Sequence, residues 1–462
     1  MGNYCEEHAP VADRGKHDIV SSLPLELVVH VVVYLDNIDI IRGQRVSKRW
    51  HSIFSSDAIL KSILPRTLAA LGLETTNAAS ANPMSYIRWL LGLELARPVK
   101  KVFLPLSTAP RHSNQTVCYS RRLCCAMPDD ENVVMLDLEN GKKSIFPNDT
   151  GGSLNRIQLS DRYLLMISEG GAIVAWNVHT AQKVGSRELS WSIVPVATIA
   201  EDKVIIVPVD DERPISVWDL HSNQFHEFGS FHDLCLWHAD AGENLLITFE
   251  INWNMYPPEV QQTKWTLTGG EQLHQKHFRL SLEGRRVSRK DLRQTFNDWY
   301  HTYGKKSVTQ FFLGSDLRTT VNLRYDHSAD QLSLRWLLSS VPIADTTSWG
   351  RYTSVAPHIV YRWVQQLRGI AIYNATTGTT TVRPYQLDIR EVNSRNLMGA
   401  ELPPPSHSPR LGYLARSSLK CFGDREVIGV ASKDGIQLWF FNPDFKPNVP
   451  DAEPFLAMED SG

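Results

Sequence analysis

The stretch "SLPLELVVHVVVYLDNIDIIRGQRVSKRW", Ser22 to Trp50, decides how the N-terminal part of this chain folds. Pro24 suits the first position of a helix, and Glu26 places a negative charge in the first turn, where it favours the helix dipole. Taken alone, "VVHVVVYL" is also typical of a buried strand, because β-branched residues favour a pleated surface. The boundary signals favour a helix that begins at Pro24.

Apolar residues lie on two sides of this predicted helix, so it must be covered on two sides. The two series are Leu23, Leu27, Val31 and Leu35, and Leu25, Val29 and Val33. The segment that follows, "NIDIIRGQRVSKRW", is long enough to cover only one side. The other side requires a partner, which is either another protein or the C-terminal part of this chain.

The order and spacing of "LPLEL", "YL", "DI" and "VSKRW" resemble the F-box, a helical module that binds the Skp adaptor of SCF ubiquitin ligases. The resemblance runs from about Asp18 to Leu64, and it implies a surface that binds the adaptor. The residues of this implied surface are Leu23, Pro24, Glu26, Leu27, Val31, Leu35, Ile40, Val46, Ser47 and Trp50. Gly43 has a low helix propensity and is expected to destabilise the second helix by up to about 1 kcal/mol relative to Ala.

The same residues also fit a small helical cap that packs on the chain's own C-terminal domain. The segment "ETTNAASANP", Glu74 to Pro83, argues against this reading, because its small polar residues are typical of a linker. A further helix is expected to begin at Pro83. We therefore predict a disordered N-terminus over 1–17, an F-box over 18–64 and a helical linker over 65–99.

From about Lys100 the sequence changes to alternating apolar strands. Segments such as "AIVAWNVHTAQKV" and "PISVWDLHSNQFHEF" share a strand, an aromatic residue before a polar one, a turn and another strand. The markers that recur every 40 to 47 positions are Leu136, Trp176, Trp218 and Trp265. This interval matches the period of about 40 to 45 residues in WD-repeat propellers. The sequence predicts a β-propeller over residues 100–445.

Seven candidate blades follow from the markers, with six or eight as alternatives. The full set is Leu136, Trp176, Trp218, Trp265, Trp336, Tyr373 and Trp439. We expect "KVFLPL", Lys101 to Leu106, to pair with the last blade and remove the free edges of the array. Two longer intervals hold a predicted inserted helix near 289–301 and the Pro-rich "ELPPPSHSPR". A flexible tail is expected over 446–462.

The predicted fold class is therefore a multidomain chain with a helical F-box followed by an all-β propeller. Only Trp218 and Asp219 give the signature dipeptide of WD repeats, and the Gly-His pair is absent. The chain resembles the degenerate propellers that follow the F-box in many fungal proteins. Its marker aromatics are expected to pack between blades and not to bind a ligand.

The composition excludes several classes of function. The net charge of -2 provides no field to attract nucleic acid or an anionic membrane, so we expect neither partner. "LELVVHVVVYL" is too short and too polar to cross a membrane. Six scattered cysteines indicate a reducing compartment, either the cytoplasm or the nucleus or both.

No arrangement of residues indicates catalysis. In "HDLCLWH", a strand places His232 and His238 on one face and Cys235 on the other, which favours a structural role over a metal site. The sequence has no Gly-rich phosphate loop after a strand, no G-x-S-x-G elbow and no H-E-x-x-H helix. We predict no catalytic residue, no metal and no cofactor.

Together the two halves predict a substrate receptor of an SCF ubiquitin ligase. The resemblance implies that the F-box binds the Skp adaptor, which connects the chain indirectly to the cullin scaffold. The propeller would hold target proteins that the sequence does not identify, and catalysis would belong to the partners. A non-degradative F-box scaffold is the alternative, and a propeller enzyme comes third.

Overall fold

In this computed structural model the described residues are 18–71, 73, 82–105, 115–127, 131–189, 196–207, 214–230, 235–252, 257, 259–279, 300–305, 308–313, 319–326, 329–338, 352–356, 359–364, 369–374, 379–384, 420–431 and 435–449. The chain divides into two compact units. The first comprises Met1–Ala69 and Leu73–Leu91, and the second comprises Ala70–Gly72 and Gly92–Gly462.

Helices form the described part of the first unit. They are α1 (Ile19–Ser22), α2 (Leu25–Val32), α3 (Asn37–Gly43), α4 (Lys48–Phe54), α5 (Asp57–Leu71) and α6 (Pro83–Leu95). The last residues of α5, 70–71, and of α6, 92–95, are assigned to the second unit. The start of α6 confirms the helix predicted at Pro83. Asn82 caps it, because its side-chain Oδ1 accepts a hydrogen bond from the Met84 N–H at 3.0 Å.

One apolar core holds the helical unit together. Its buried members are Val28, Val32, Ile40, Phe54, Ile59, Leu60, Ile63, Met84, Ile87 and Leu91. The last three lie beyond Leu64, so the core extends past the predicted end of the F-box. Gly43 is buried within α3, and a Cβ there would lie 2.9 Å from the Phe54 ring. The helix-weakening glycine is therefore the residue that lets Phe54 approach α3.

The described residues of the second unit form seven antiparallel sheets of four strands each. In chain order these are β2 (Thr116–Tyr119), β3 (Arg122–Ala126), β4 (Asn132–Asp137), β5 (Lys143–Pro147); β6 (Leu154–Leu159), β7 (Tyr163–Ser168), β8 (Ala172–Asn177), β9 (Lys183–Glu188); β10 (Val196–Ala200), β11 (Lys203–Val207), β12 (Pro214–Asp219), β13 (Phe225–Ser230); β14 (Cys235–Asp240), β15 (Leu245–Asn252), β16 (Glu259–Thr266), β17 (Gln272–Arg279); β18 (Tyr300–Lys305), β19 (Val308–Leu313), β20 (Thr319–Asp326), β21 (Gln331–Leu338); β22 (Tyr352–Ala356), β23 (Ile359–Val364), β24 (Gly369–Asn374), β25 (Thr379–Pro384); and β26 (Lys420–Gly423), β27 (Val427–Ala431), β28 (Gly435–Phe440) with β1 (Lys100–Pro105).

The seventh sheet draws its fourth strand from the start of the unit. Strand β1 pairs antiparallel with β28, from Lys100 opposite Phe440 to Pro105 opposite Gly435. This pairing confirms the predicted closing strand. Consecutive sheets pack on one another, and β26 of the last sheet contacts β2 of the first. Such a closed series of meander sheets is consistent with a β-propeller.

The marker residues mostly occupy the third strand of each sheet in chain order. Leu136, Trp218 and Tyr373 lie there and are fully buried. The prediction was wrong for Trp336, which lies in the fourth strand β21. The equivalent of Trp218 and Asp219 is Tyr325 with Asp326, at the end of β20. Trp336 was chosen as the marker because it is larger than Tyr325. The turn between β20 and β21 was not recognised in the sequence.

Several predicted features fall at the limits of the described residues. Most of the predicted inserted helix, residues 289–299, lies outside them, while Tyr300 and His301 belong to β18. Linker residues 74–81 also lie outside. The predicted tail begins with packed residues: Asn448 N–H donates to the Leu138 carbonyl at 2.9 Å, and Val449 packs on the core of the first and last sheets. Residues 446–449 are therefore part of the fold, because they complete this core.

A charged cluster joins the fourth and fifth sheets. Lys276 on β17 donates to the Asp330 carboxylate at 2.7 Å and to the Asp330 carbonyl at 2.9 Å. Lys264 lies 3.6 Å from the same carboxylate, and the Tyr325 hydroxyl donates to it. The hydrogen bond from Lys276, followed by that from Tyr325, lowers the pKa of Asp330 from 3.8 to about 2.

We expect Asp330→Asn to lower the thermal unfolding midpoint at pH 7, and to lower it progressively less as the pH falls towards 2. The lowered pKa means that the ionised carboxylate stabilises the fold above about pH 4 and that this contribution is lost as the pH falls from about 4 through about 2. Asn tolerates the positive φ of 47° at this position, so the turn is retained. Circular dichroism melts of both proteins across this pH range measure the difference. An undiminished difference at pH 2 would contradict the electrostatic origin.

Candidate docking surface on the helical unit

Helix α2 turns one face into the core and leaves another face outside. Val28 and Val32 are buried, one helical turn apart. Leu27 and Val31 occupy an adjacent face and remain 49% and 48% exposed. Half-exposed aliphatic side chains in register on one helix are typical of a surface that binds a partner. Leu27 and Val31 both belong to the apolar series of residues that the F-box resemblance implies for adaptor binding.

The residues at the two ends of α2 divide between core and surface. Leu23 and Leu35 are partly buried and pack against the apolar core. Pro24 is exposed and is the N-cap, so α2 begins at Leu25, one residue later than predicted. The Pro24 carbonyl accepts hydrogen bonds from the Leu27 and Val28 N–H groups at 3.1 Å each. Glu26 lies in the first turn and is exposed.

The later predicted residues have different roles. Ile40 is fully buried, so it supports the fold of the surface and does not form part of its outer face. Val46 is 61% exposed and remains a candidate contact residue. Ser47 caps α4, accepting a hydrogen bond from the Trp50 N–H at 3.1 Å. Trp50 packs against the core, and its indole Nε1–H donates to the Asp18 carboxylate at 2.7 Å.

Two exposed apolar residues near α2 were not predicted as site residues. Leu25 is exposed in the first turn, and Tyr34, just past the last turn, is 87% exposed. Leu35 was predicted as a site residue because it continues the four-residue series of Leu23, Leu27 and Val31. Each step of four residues rotates a helix position by about 40° beyond a full turn. After two steps from Leu27 the series has turned towards the core, and Tyr34 takes the outward position.

Among the described residues, no group of three or more His, Cys, Asp or Glu could hold a metal ion. Cys118, Cys124, Cys125 and Cys421 are buried. Burial raises the pKa of Cys118 and Cys124, which disfavours the reactive thiolate. Within the described part of the chain, no helix combines the length and the apolar character needed to cross a membrane.

Residues 20–66 match the F-box-like family. This match confirms the resemblance of the N-terminal stretch, and it covers α2, α3 and α4. No curated protein sequence matched the chain.

Solved structures resemble the chain over most of its length. A chain from the crystal structure of the mitotic checkpoint complex has 10% sequence identity and a TM-score of 0.43, covering 74% of this chain and 95% of that chain. The computationally designed Ika8 protein has 11% identity and a TM-score of 0.40, covering 73% of this chain and 99% of that chain. The propeller-like architecture rests on the strand pairing described above.

Ser47→Ala is expected to destabilise the helical unit by about 1 kcal/mol, because α4 loses its N-cap hydrogen bond. Ser47→Asp is the matched control, since Asp is a comparable N-cap residue. Chemical denaturation followed by the helical circular dichroism signal measures both variants. Equal destabilisation by Ala and Asp would show that the cap is not what Ser47 contributes.

Proposed function

We propose that this chain is a substrate receptor of an SCF-type ubiquitin ligase, of the kind that fungi use. The observation that carries the proposal is the exposed apolar face of α2 within the residues that match the F-box-like family. That face gives a Skp-type adaptor an apolar surface to bury, since removing such area from water drives protein association. The adaptor in turn connects the chain to the cullin scaffold.

The adaptor-binding surface that we propose combines the exposed residues of the sequence prediction. Leu27 and Val31 supply its apolar centre, Pro24 and Glu26 lie at the start of α2, and Val46 precedes α4. Leu23, Leu35, Ile40, Ser47 and Trp50 hold the surface in shape through the core contacts and the cap described above.

The second unit supplies the proposed binding site for targets. We propose that its sheets are the blades of a seven-bladed propeller closed by β1. A rigid closed fold with many connecting loops suits the recognition of proteins, because loops on a fixed scaffold often carry binding residues. Ubiquitin transfer would then follow from proximity, which raises the effective concentration of a target lysine near the ubiquitin carrier.

A non-degradative scaffold is the second candidate. The same face of α2 would recruit the adaptor, but the bound proteins would be assembled and not ubiquitinated. The two candidates share the adaptor contact and differ only in the fate of the proteins that the second unit binds. Adaptor binding and target turnover therefore need separate tests.

The double variant Leu27→Ala/Val31→Ala is expected to weaken adaptor binding about 10- to 100-fold, because both side chains lie on the exposed face of α2. Their exposure predicts little loss of helical stability. Isothermal titration calorimetry with a purified Skp-type adaptor measures the affinity. The matched control is Ile145→Ala/Leu273→Ala, which shortens two somewhat more exposed side chains of the second unit. Equal affinities of both double variants would contradict the proposed surface.

The same Leu27/Val31 variant tests turnover in cells. Overexpressed, it should bind targets without delivering them to the ligase, so that the half-lives of captured proteins lengthen. A surface variant is preferable to deleting residues 1–64, because that deletion would uncover Met84, Ile87 and Leu91 of the shared core. Decay after a block of protein synthesis is compared between wild-type and variant cells. Unchanged decay of all captured proteins, with adaptor binding intact in the wild type, would favour the scaffold.

A further inference from the structure

Tyr34 is the most exposed of the large apolar side chains in the part of the chain that the structure describes, at 87%. It follows Leu27 and Val31 at the spacing i, i+4, i+7, which keeps three side chains on one flank of a helix. The Tyr34 N–H donates to the Val31 carbonyl at 3.1 Å, so the turn continues past the end of α2. Leu27, Val31 and Tyr34 form what we term the outer stripe.

The backbone on either side of Tyr34 is held by one arginine. Arg66 on α5 donates to the Val33 carbonyl and to the Leu35 carbonyl, each at 2.7 Å. Its guanidinium also donates to the Asn37 side-chain oxygen at 3.3 Å. The planar fork of Arg can bond two acceptors at once, which fixes their separation. The exposed aromatic side chain therefore projects from a backbone that is fixed before any partner arrives.

A fixed and exposed aromatic residue has the properties of a binding anchor. Tyr buries a large area when it enters a pocket, and few of its torsions must be immobilised. Pre-ordering of the backbone lowers the entropy cost of association further. The Tyr34 ring does not stabilise the fold of the unbound chain, because it is not part of the apolar core. The core contacts in this region are made by Val28, Val32 and Leu35.

We infer that Tyr34 is the main anchor of adaptor docking and that Arg66 is a positioning residue that presents it. This inference rests on the proposed function. The partner surface that it requires is an apolar pocket on the Skp-type adaptor, deep enough for the aromatic ring and open at its rim, so that the hydroxyl stays in water. The pocket lies where the outer stripe ends, next to the contacts of Leu27 and Val31.

Affinity measurements on full-length proteins with the purified Skp-type adaptor test the anchor. Tyr34→Ala should weaken binding about 30-fold. Tyr34→Phe should stay within about twofold of the wild type, since the ring is retained. His30→Ala is the matched control, because His30 is exposed on α2 but lies outside the outer stripe, and it should also stay within about twofold. Wild-type affinity of Tyr34→Ala would overturn the inference and leave the proposed function standing, whereas failure of the wild type to bind would overturn both.

A double-mutant cycle tests the role of Arg66. Arg66→Ala should weaken binding when Tyr34 is present and cause no further loss in the Tyr34→Ala background. Equal losses in both backgrounds would overturn the positioning role. Nitration by tetranitromethane, mapped by peptide mass spectrometry, gives a direct readout of contact. Tyr34 should be nitrated in the free chain and protected in the complex, and nitration at the same rate in both states would overturn the anchor.

Discussion

The main physical constraint on the second unit is that both faces of each sheet must be covered. Every residue of β7 is buried, and so is every residue of β28, including the side chains that point in opposite directions. A sheet that is apolar on both faces requires a neighbour on each side. A row of sheets would leave two faces in water, so only a closed series satisfies all of them. The pairing of β1 with β28 closes the last sheet, and Phe445 and Val449 then fill the junction with the first sheet.

The sequence predicts the architecture well where a large apolar residue recurs at the same place in successive sheets. The interval between Leu136, Trp176, Trp218 and Trp265 indicated the repeated sheets, because each marker packs between neighbouring sheets. It failed at Trp336 because the adjacent strands β20 and β21 each carry an aromatic residue near the C-terminal end, and composition alone does not show which one precedes the turn. Tyr325 gives the better signal, since an Asp follows it, as Asp219 follows Trp218. The polar residue that begins the turn is more informative than the size of the aromatic.

The sequence predicts an apolar outer face on α2, but not every residue that is exposed there. The motif includes Leu27 and Val31, which lie on this exposed face. It also included Ile40, which is needed in the core because α3 must cover Val28 and Val32 of α2. Tyr34, which is also exposed there, is not part of the motif-based prediction, because a four-residue period follows one helix face only over short distances. The contribution of Met84, Ile87 and Leu91 could not be read from the motif, since it depends on residues that fold back from beyond the linker.

The pairing of β1 with β28 also has a consequence for synthesis of the chain. Pro105 leaves the ribosome 330 residues before its partner Gly435. At typical elongation rates this delay is roughly 15 to 65 s. During that time the edge of β1 that pairs with β28 lacks its native partner, and Val102 and Leu104 lack the core on which they pack. The nascent chain therefore carries a strand without its native partner for most of its translation, and an unpaired strand edge can form non-native pairings during that time.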